Sequence, residues 1–113
     1  MDSYTMTIDG RAVGGKKMAG VINPATGKVF AEVPECSREQ LDEAMAAAAR
    51  AQREWSKDVT ARKQALLAMS KAIKANVAKI APVLTQEQGK PLAKATEEAV
   101  GAAVWTSTTA KLD

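Results

Sequence analysis

The sequence predicts an α+β fold that is mainly helical, with one or two short β-hairpins at the amino terminus followed by three amphipathic helices. Up to about Pro34 the chain is rich in Val, Ile, Thr and Gly, and its apolar residues alternate with polar ones. From Ser37 onward alanine becomes frequent and the apolar residues recur every three or four positions, which is the helical period. We therefore predict one unit over residues 1–113, with hairpins over 1–34 and helices over 37–112.

The first predicted hairpin lies at the amino terminus. Residues 4–8 alternate in polarity and are followed by Asp9 and Gly10, a dipeptide that tolerates the positive φ angles of a tight turn. Residues 11–13 then supply the returning strand.

A second strand pair is predicted over residues 21–22 and 29–33. The Asn-Pro-Ala-Thr-Gly segment between them reverses the chain, because proline restricts Asn23 to extended geometry and Gly27 adopts conformations that other residues avoid. Three apolar residues of the returning strand are expected on one face: Val29, Ala31 and Val33.

The first helix, helix A, is predicted to begin at Ser37. Ser37 and Gln40 have the spacing of a capping box, in which each side chain accepts a hydrogen bond from a backbone N–H of the first turn. Its predicted apolar face consists of Leu41, Ala44, Met45, Ala48 and Trp55.

Helix B is predicted to start near Thr60, a suitable N-cap residue, and to end at Gly89. Pro82 cannot donate to the carbonyl of residue 78, so a bend or a restart is expected near Asn76. The predicted apolar stripe consists of Leu66, Met69, Ile73, Val77, Ile80 and Leu84.

Helix C is predicted to take Pro91 as its first residue, since a missing N–H has no consequence there. Residues 106–109 are poor helix formers, so their helicity should depend on packing. The predicted apolar face consists of Leu92, Ala95, Ala99, Ala102 and Ala103, running toward Trp105.

Composition excludes several classes of site. The chain has no histidine and one cysteine, Cys36, so it contains no Ser-His or Cys-His pair, no imidazole metal site and no intrachain disulfide. Its longest apolar runs are too short for a membrane span. Residues 57–94 are basic, but no aromatic residues interleave with the cations, which favours a solvated helix face over a nucleic-acid surface. We expect a cytoplasmic protein with no nucleic-acid or membrane partner.

Five elements in order resemble the amino-terminal part of the aldehyde dehydrogenase superfamily: the Val-Ile-Asn-Pro-Ala-Thr-Gly-Lys-Val run at 21–29, the Val-Pro break at 33–34, the capped helix ending in Trp55, the Arg62-bearing start of helix B, and Gln-Glu-Gln-Gly-Lys-Pro-Leu at 86–92. The resemblance covers residues 4–112. It implies an α/β, Rossmann-like parent of which this chain is a fragment.

The resemblance also implies a parent that oxidises an aldehyde to a carboxylic acid with NAD or NADP. The catalytic cysteine, asparagine and glutamate of the family, and its cofactor-binding residues, are expected beyond residue 113, so we assign no catalytic or cofactor-binding residue to this chain. Cys36 lacks the Asn, Gly and Gln that precede the family nucleophile and is interpreted as a non-catalytic thiol. By itself the chain should need no cofactor.

Two further residue roles follow from the resemblance. A monovalent cation site would use the main chain of Ile22 and the carboxylate of Glu87, and it would lack a ligand from beyond this chain. An exposed Glu87 without a metal is the alternative for the isolated chain. Ala102 would line the substrate entrance, and simple helix packing is the alternative there.

The function predicted from these observations is that of the amino-terminal segment of an aldehyde dehydrogenase, not catalytic alone. Its apolar helix faces should pack against the remainder of the dehydrogenase or cause self-association. The end at residues 111–113, without a capping glycine, is expected to be artificial or proteolytic. The alternative is a small helical interaction or regulatory module derived from a truncated dehydrogenase.

Overall fold

Strands precede helices in the computed structural model, which describes residues 2–112. The strands are β1 Asp2–Ser3, β2 Met6–Ile8, β3 Arg11–Val13, β4 Met18–Asn23 and β5 Lys28–Pro34. The helices are α1 Arg38–Trp55, α2 Val59–Gln88 and α3 Leu92–Thr109. The predicted mainly helical α+β fold is confirmed. The chain divides into two compact units between Lys57 and Asp58.

The first unit contains the strands and α1. Strands β2 and β3 form the predicted antiparallel hairpin, with Met6 opposite Val13. Asp9 and Gly10 at its turn have φ angles of 52° and 73°, as a two-residue hairpin turn of this kind requires. Ile8, at the end of β2, is buried.

Strands β4 and β5 form the second predicted hairpin, and β1 adds to β5 in parallel. The Asn23 carbonyl accepts from the N–H of Gly27 at 2.8 Å and of Thr26 at 3.2 Å, while its side-chain oxygen accepts from the N–H of Ala25 at 2.9 Å. Gly27 has a φ of 67°. Asn23 and Gly27, the residues on which the turn was predicted, therefore form it.

The strand alternation predicted for β5 is wrong at Val29. The register shifts between Val21 and Ile22, which face Ala31 and Val29, so Phe30 is an extra residue in β5. Ala31 is buried and Val33 half-buried, but Val29 is exposed and covers Gly20. This extra residue is a β-bulge that interrupts the alternation of the strand, so Val29 does not share a face with Ala31 and Val33.

Helix α1 begins as predicted. The Ser37 hydroxyl accepts from the Gln40 N–H, the Gln40 side chain accepts from the Ser37 N–H at 3.0 Å, and the Gln40 amide also donates to the carbonyl of Gly14 at 2.9 Å. The capping box therefore fixes the helix start and joins it to the loop before β4. Surface ion pairs join α1 to the β2–β3 hairpin: Arg11 with Glu43 and Arg50 with Asp9.

The apolar face predicted for α1 is wrong for its large side chains, although its Ala44 is half-buried. Ala47 is buried, whereas Leu41 and Met45 are exposed, the latter by 63 %, and Trp55 is exposed as well. The small alanines allow the hairpin to approach closely. The larger side chains on the neighbouring stripe consequently lie in solvent.

Helix α2 begins one residue before Thr60, and its N-cap is Asp58, whose carboxylate accepts from the Ala61 N–H at 2.9 Å. The predicted N-cap Thr60 is therefore wrong. A bend or a restart was predicted near Asn76, and the restart is wrong, since α2 continues through Pro82 to Gln88. Ala81, next to this proline, is buried, and such packing stabilises a helix enough to offset the loss of one backbone hydrogen bond.

The two N-cap assignments for α2 can be separated by substitution. We expect Asp58→Ala to lower the free energy of unfolding of the second unit by about 1 kcal/mol, because it removes the carboxylate that satisfies a first-turn N–H. Thr60→Ala is the control and should change it by less than about 0.5 kcal/mol. Thermal unfolding followed by circular dichroism measures both, and a larger effect at Thr60 would contradict the observed cap.

Helices α2 and α3 form an αα-hairpin in the second unit. Gly89 ends α2 as predicted, with a φ of 71° and its N–H donating to the carbonyl of Thr85. Pro91 is the N-cap of α3 and not its first helical residue, a one-position correction. The buried Ser70 hydroxyl donates to the carbonyl of Ala103 at 2.7 Å across the two helices.

The buried face of α3 consists of alanines at four-residue spacing: Ala95, Ala99 and Ala103. Leu92, Ala102 and Trp105, which were predicted to share this face, are exposed. At 100° per residue, Ala102 and Trp105 lie outside the narrow stripe that faces α2. Residues 106–109 are helical, and their hydroxyls bond back to carbonyls in the preceding turn: Thr106 to Ala102, Ser107 to Val104 and Thr109 to Trp105.

Small side chains dominate the interior. Among the described residues no large side chain is fully buried, and the buried apolar residues are alanines and Ile8. Many large apolar side chains are exposed among the described residues, including Leu41, Met45, Leu67, Met69, Val104 and Trp105.

Candidate functional site

Cys36 lies in the loop before α1, in an open cleft of about 270 Å³ that Lys16, Lys17, Glu35 and Ser37 also line. Its thiol is exposed and donates a long, weak hydrogen bond to the carbonyl of Ser37, with Sγ and O 3.5 Å apart. The chain has no histidine that could remove its proton. Cys36 therefore has no imidazole base beside it, and its interpretation as a non-catalytic thiol stays a prediction.

The two residues predicted for a cation site lie in different units. Ile22 is exposed in β4, next to the register shift, and Glu87 is exposed in the last turn of α2. The carboxyl end of a helix carries partial negative charge, which together with the Glu87 carboxylate favours a cation. Within residues 2–112 no group of three or more acidic, cysteine or histidine side chains could hold a metal ion. The predicted pair of ligands, Ile22 and Glu87, is therefore not contained in either unit alone.

Ala102 is exposed on α3, one position before the buried Ala103. The two glutamates of α3 are engaged in ion pairs, Glu97 with Lys94 at 2.7 Å and Glu98 with Lys90. Paired carboxylates at the surface are ordinary solvated groups. The first turns of α3 are thus charged, and its later turns carry the small and apolar residues.

Two lysines of the basic segment, residues 57–94, form ion pairs with nearby glutamates. Lys57 and Lys94 pair with the acidic residues Glu54 and Glu97. Between Trp55 and Trp105 the sequence has no aromatic residue on which a base could stack. Separately, none of the helices within residues 2–112 has the length and apolar character that crossing a bilayer requires.

Apart from Trp105, which was named in the predicted apolar face of helix C, the residues that sequence reasoning missed are on the side of α3 opposite α2. We define the outer face of α3 as Val100, Gly101, Val104 and Trp105, of which Trp105 is 75 % exposed and Val104 is 50 % exposed. A signal was present in the sequence, because the twelve residues between Glu98 and Lys111 include no charge. A surface helix would carry charged residues on this side.

Comparison with known proteins gives a consistent result. A family model described as the aldehyde dehydrogenase family matches residues 12–112. The 3,6-anhydro-alpha-L-galactose dehydrogenase of Streptomyces coelicolor is 45% identical over 83 residues, which are 73% of this chain and 17% of that protein. The methylmalonate-semialdehyde/malonate-semialdehyde dehydrogenase of Rattus norvegicus is 40% identical over 91 residues, 78% of this chain and 17% of that protein.

Solved structures contain the same fold. Lactaldehyde dehydrogenase from Escherichia coli matches 96% of this chain with a TM-score of 0.90 and 30% identity, and the match covers 24% of that chain. A betaine aldehyde dehydrogenase from Staphylococcus aureus, solved in complex with NAD+, matches 94% of this chain with a TM-score of 0.87 and 26% identity, over 22% of its own length. The chain thus spans about a fifth to a quarter of the length of these proteins.

Proposed function

This chain belongs to the aldehyde dehydrogenase family, and on that premise we propose that it serves as the amino-terminal segment of an enzyme that oxidises an aldehyde to a carboxylic acid with NAD or NADP. The observation that carries the proposal is the family match over residues 12–112, which includes both compact units. Relatives that match the chain are dehydrogenases, and one solved relative holds NAD+.

The described residues do not fit a dinucleotide by themselves. The glycine pair at 14–15 lacks the spacing of a phosphate-binding loop. Gly15 is already packed against the backbone of Glu35, since a Cβ there would lie 2.8 Å from the Glu35 carbonyl oxygen. The cofactor is therefore assigned to the remainder of the enzyme, and no catalytic step is assigned to this chain.

The contribution of this chain is structural in the proposed enzyme. The strands and α1 form one unit, the αα-hairpin forms the other, and side-chain caps fix where α1 and α2 begin. In the complete enzyme we propose that the main chain of Ile22 and the Glu87 carboxylate bind a monovalent cation together with a further ligand, and that Ala102 borders the substrate entrance. The single cysteine suits a reducing compartment, so we propose a cytoplasmic location.

A chimera tests the proposal. We expect an Escherichia coli lactaldehyde dehydrogenase in which residues 12–112 of this chain replace the matching segment to reduce NAD or NADP in the presence of lactaldehyde. The 113-residue polypeptide alone should give no aldehyde-dependent reduction, because the nucleophile and the water-activating carboxylate are not in it. Absorbance of the reduced nicotinamide measures both.

Two results would contradict the proposal. One is a chimera that folds with the parental thermal midpoint and lacks activity. The other is turnover by the isolated polypeptide that disappears in Cys36→Ala, since this would make Cys36 a nucleophile.

A further inference from the structure

The β2–β3 hairpin belongs to a segment that is held at both ends. We define residues 4–13, which contain this hairpin, as the flap. Before the flap, β1 pairs with β5 in parallel, with Asp2 opposite Ala31. After the flap, the carbonyl of Gly14 accepts a hydrogen bond from the Gln40 side-chain amide at 2.9 Å. Because these contacts involve residues outside the flap, the flap can leave α1 without breaking them.

A single buried side chain anchors the flap to α1. Ile8 is 3 % exposed, whereas every other residue of the flap is half-buried or exposed. The contact with α1 is not closely packed, because an open cleft of about 310 Å³ remains between the two elements. The residues that line this cleft are those of the hairpin turn and the alanines of α1: Thr7, Ile8, Asp9, Gly10, Ala44, Ala47, Ala48 and Ala51.

Two ion pairs of opposite polarity lie beside this anchor. Arg11 of β3 pairs with Glu43 of α1 at 3.2 Å, and Asp9 of the turn pairs with Arg50 of α1 at 3.7 Å. Glu43 and Arg50 are about two helical turns apart, on the same side of α1. A flap docked in the reverse orientation would therefore place like charges together. All four side chains are more than half exposed, so dissolved salt weakens both pairs.

We propose that the flap opens and closes over α1 as a local unit while β4 and β5 remain paired, with Ile8 as its anchor and the two ion pairs as a salt-sensitive latch. Strands β2 and β3 have three residues each, and a hairpin of this size is marginally stable without a surface to dock on. Strands β4 and β5 have six and seven residues and form a three-stranded sheet with β1. The proposal concerns the first unit alone and does not depend on the proposed function.

Native-state hydrogen exchange of the 113-residue chain, measured by NMR over a series of low urea concentrations, tests the opening without any substitution. We expect the amides bonded between β2 and β3 to exchange at least about tenfold faster than those bonded between β4 and β5. Their exchange should also depend less on urea, because a local opening exposes less surface than unfolding of the whole unit. Equal rates and equal urea dependence in the two hairpins would overturn the inference.

The anchor is tested by Ile8→Ala. Truncating this side chain should raise the exchange rates of the β2 and β3 amides at least about 30-fold and leave those of β4 and β5 within about twofold. Ile22→Ala is the matched control, since it truncates an exposed isoleucine of β4, and it should leave the flap within about twofold of the unsubstituted chain. Loss of β4–β5 protection in Ile8→Ala, in part or completely, would make Ile8 a core residue of the whole unit and overturn the inference.

The latch is tested by Glu43→Ala, which removes the partner of Arg11. Exchange of the flap amides, relative to those of β4 and β5, should rise about 1.5- to 5-fold in this variant. It should also rise with sodium chloride in the unsubstituted chain, and less so in Glu43→Ala. Asp42→Ala is the control, because it removes an ion pair with Arg38 inside α1 and should leave the flap unchanged. Equal effects of the two substitutions, or a flap that does not respond to salt, would exclude the latch.

Discussion

Replacing Ala103 with leucine is expected to destabilise the second unit by about 1 to 3 kcal/mol. Ala103 is fully buried where α3 approaches α2, and its carbonyl accepts the Ser70 hydroxyl at 2.7 Å. Three additional carbons at this contact must push the helices apart or force strained rotamers, and either response lengthens the Ser70 hydrogen bond. For a unit of this size the change corresponds to a fall in thermal midpoint of roughly 5 to 20 °C.

The neighbouring position supplies the control. Ala102→Leu adds the same atoms to the same helix one residue earlier, where the side chain is exposed, and should leave the midpoint within about 2 °C of the unsubstituted chain. Thermal unfolding followed by the helical circular dichroism signal measures both variants. Equal destabilisation by the two substitutions would mean that the helices do not pack through the Ala95, Ala99 and Ala103 face.

Local chemistry explains which parts of the fold could be predicted from the sequence. The Asp9–Gly10 turn, the Asn23 turn, the Ser37–Gln40 capping box and the Gly89 helix end each depend on residues within a few positions of one another. Such features are determined by backbone conformation and by side chains that bond to the nearby main chain. They appear in the structure as predicted.

The helix faces could be predicted only in part, because they depend on what each helix packs against; Ala95, Ala99 and Ala103 of α3 are buried as predicted, whereas the large residues of the α1 face are not. In α1 the periodic pattern contains two adjacent stripes, one with Leu41 and Met45 and one with Ala44 and Ala47. The structure buries Ala47 against the hairpin side and leaves the larger residues in solvent. Periodicity detects apolar residues but does not decide which stripe a given neighbour will cover.

The candidate site could not be fully predicted for the same reason, because it too depends on what the chain packs against. The residues assigned through the resemblance, Ile22, Glu87 and Ala102, lie on exposed positions, and their proposed roles require polypeptide beyond this chain. The outer face of α3 escaped prediction because α3 is apolar on more than one side, so its pattern of threes and fours fits several stripes equally well. An absence of charge over twelve residues was the more informative signal.

Gly15→Ala is expected to destabilise the first unit by about 1 to 3 kcal/mol. A Cβ at residue 15 would lie 2.8 Å from the Glu35 carbonyl oxygen and 2.9 Å from the Pro34 Cβ. These atoms cannot move away cheaply, because the Glu35 N–H donates to the carbonyl of Lys17 at 2.9 Å and Pro34 ends β5. The substitution must therefore displace the backbone at the end of the β4–β5 hairpin.

The same substitution at the adjacent Gly14 is the control, because it is expected to change the stability of the first unit in the opposite direction. Gly14 has open space where a Cβ would be and no positive φ, so Gly14→Ala is expected to stabilise the unit by up to about 1 kcal/mol by reducing the freedom of the unfolded chain. Hydrogen exchange of the β4 and β5 amides, measured by NMR, reports the stability of this unit separately from that of the αα-hairpin. Opposite signs at two neighbouring glycines are expected from the close approach of Glu35 and Pro34 to residue 15, which Gly14 lacks. Protection that changes in the same direction in both variants would show that the loop does not pack against the end of β5.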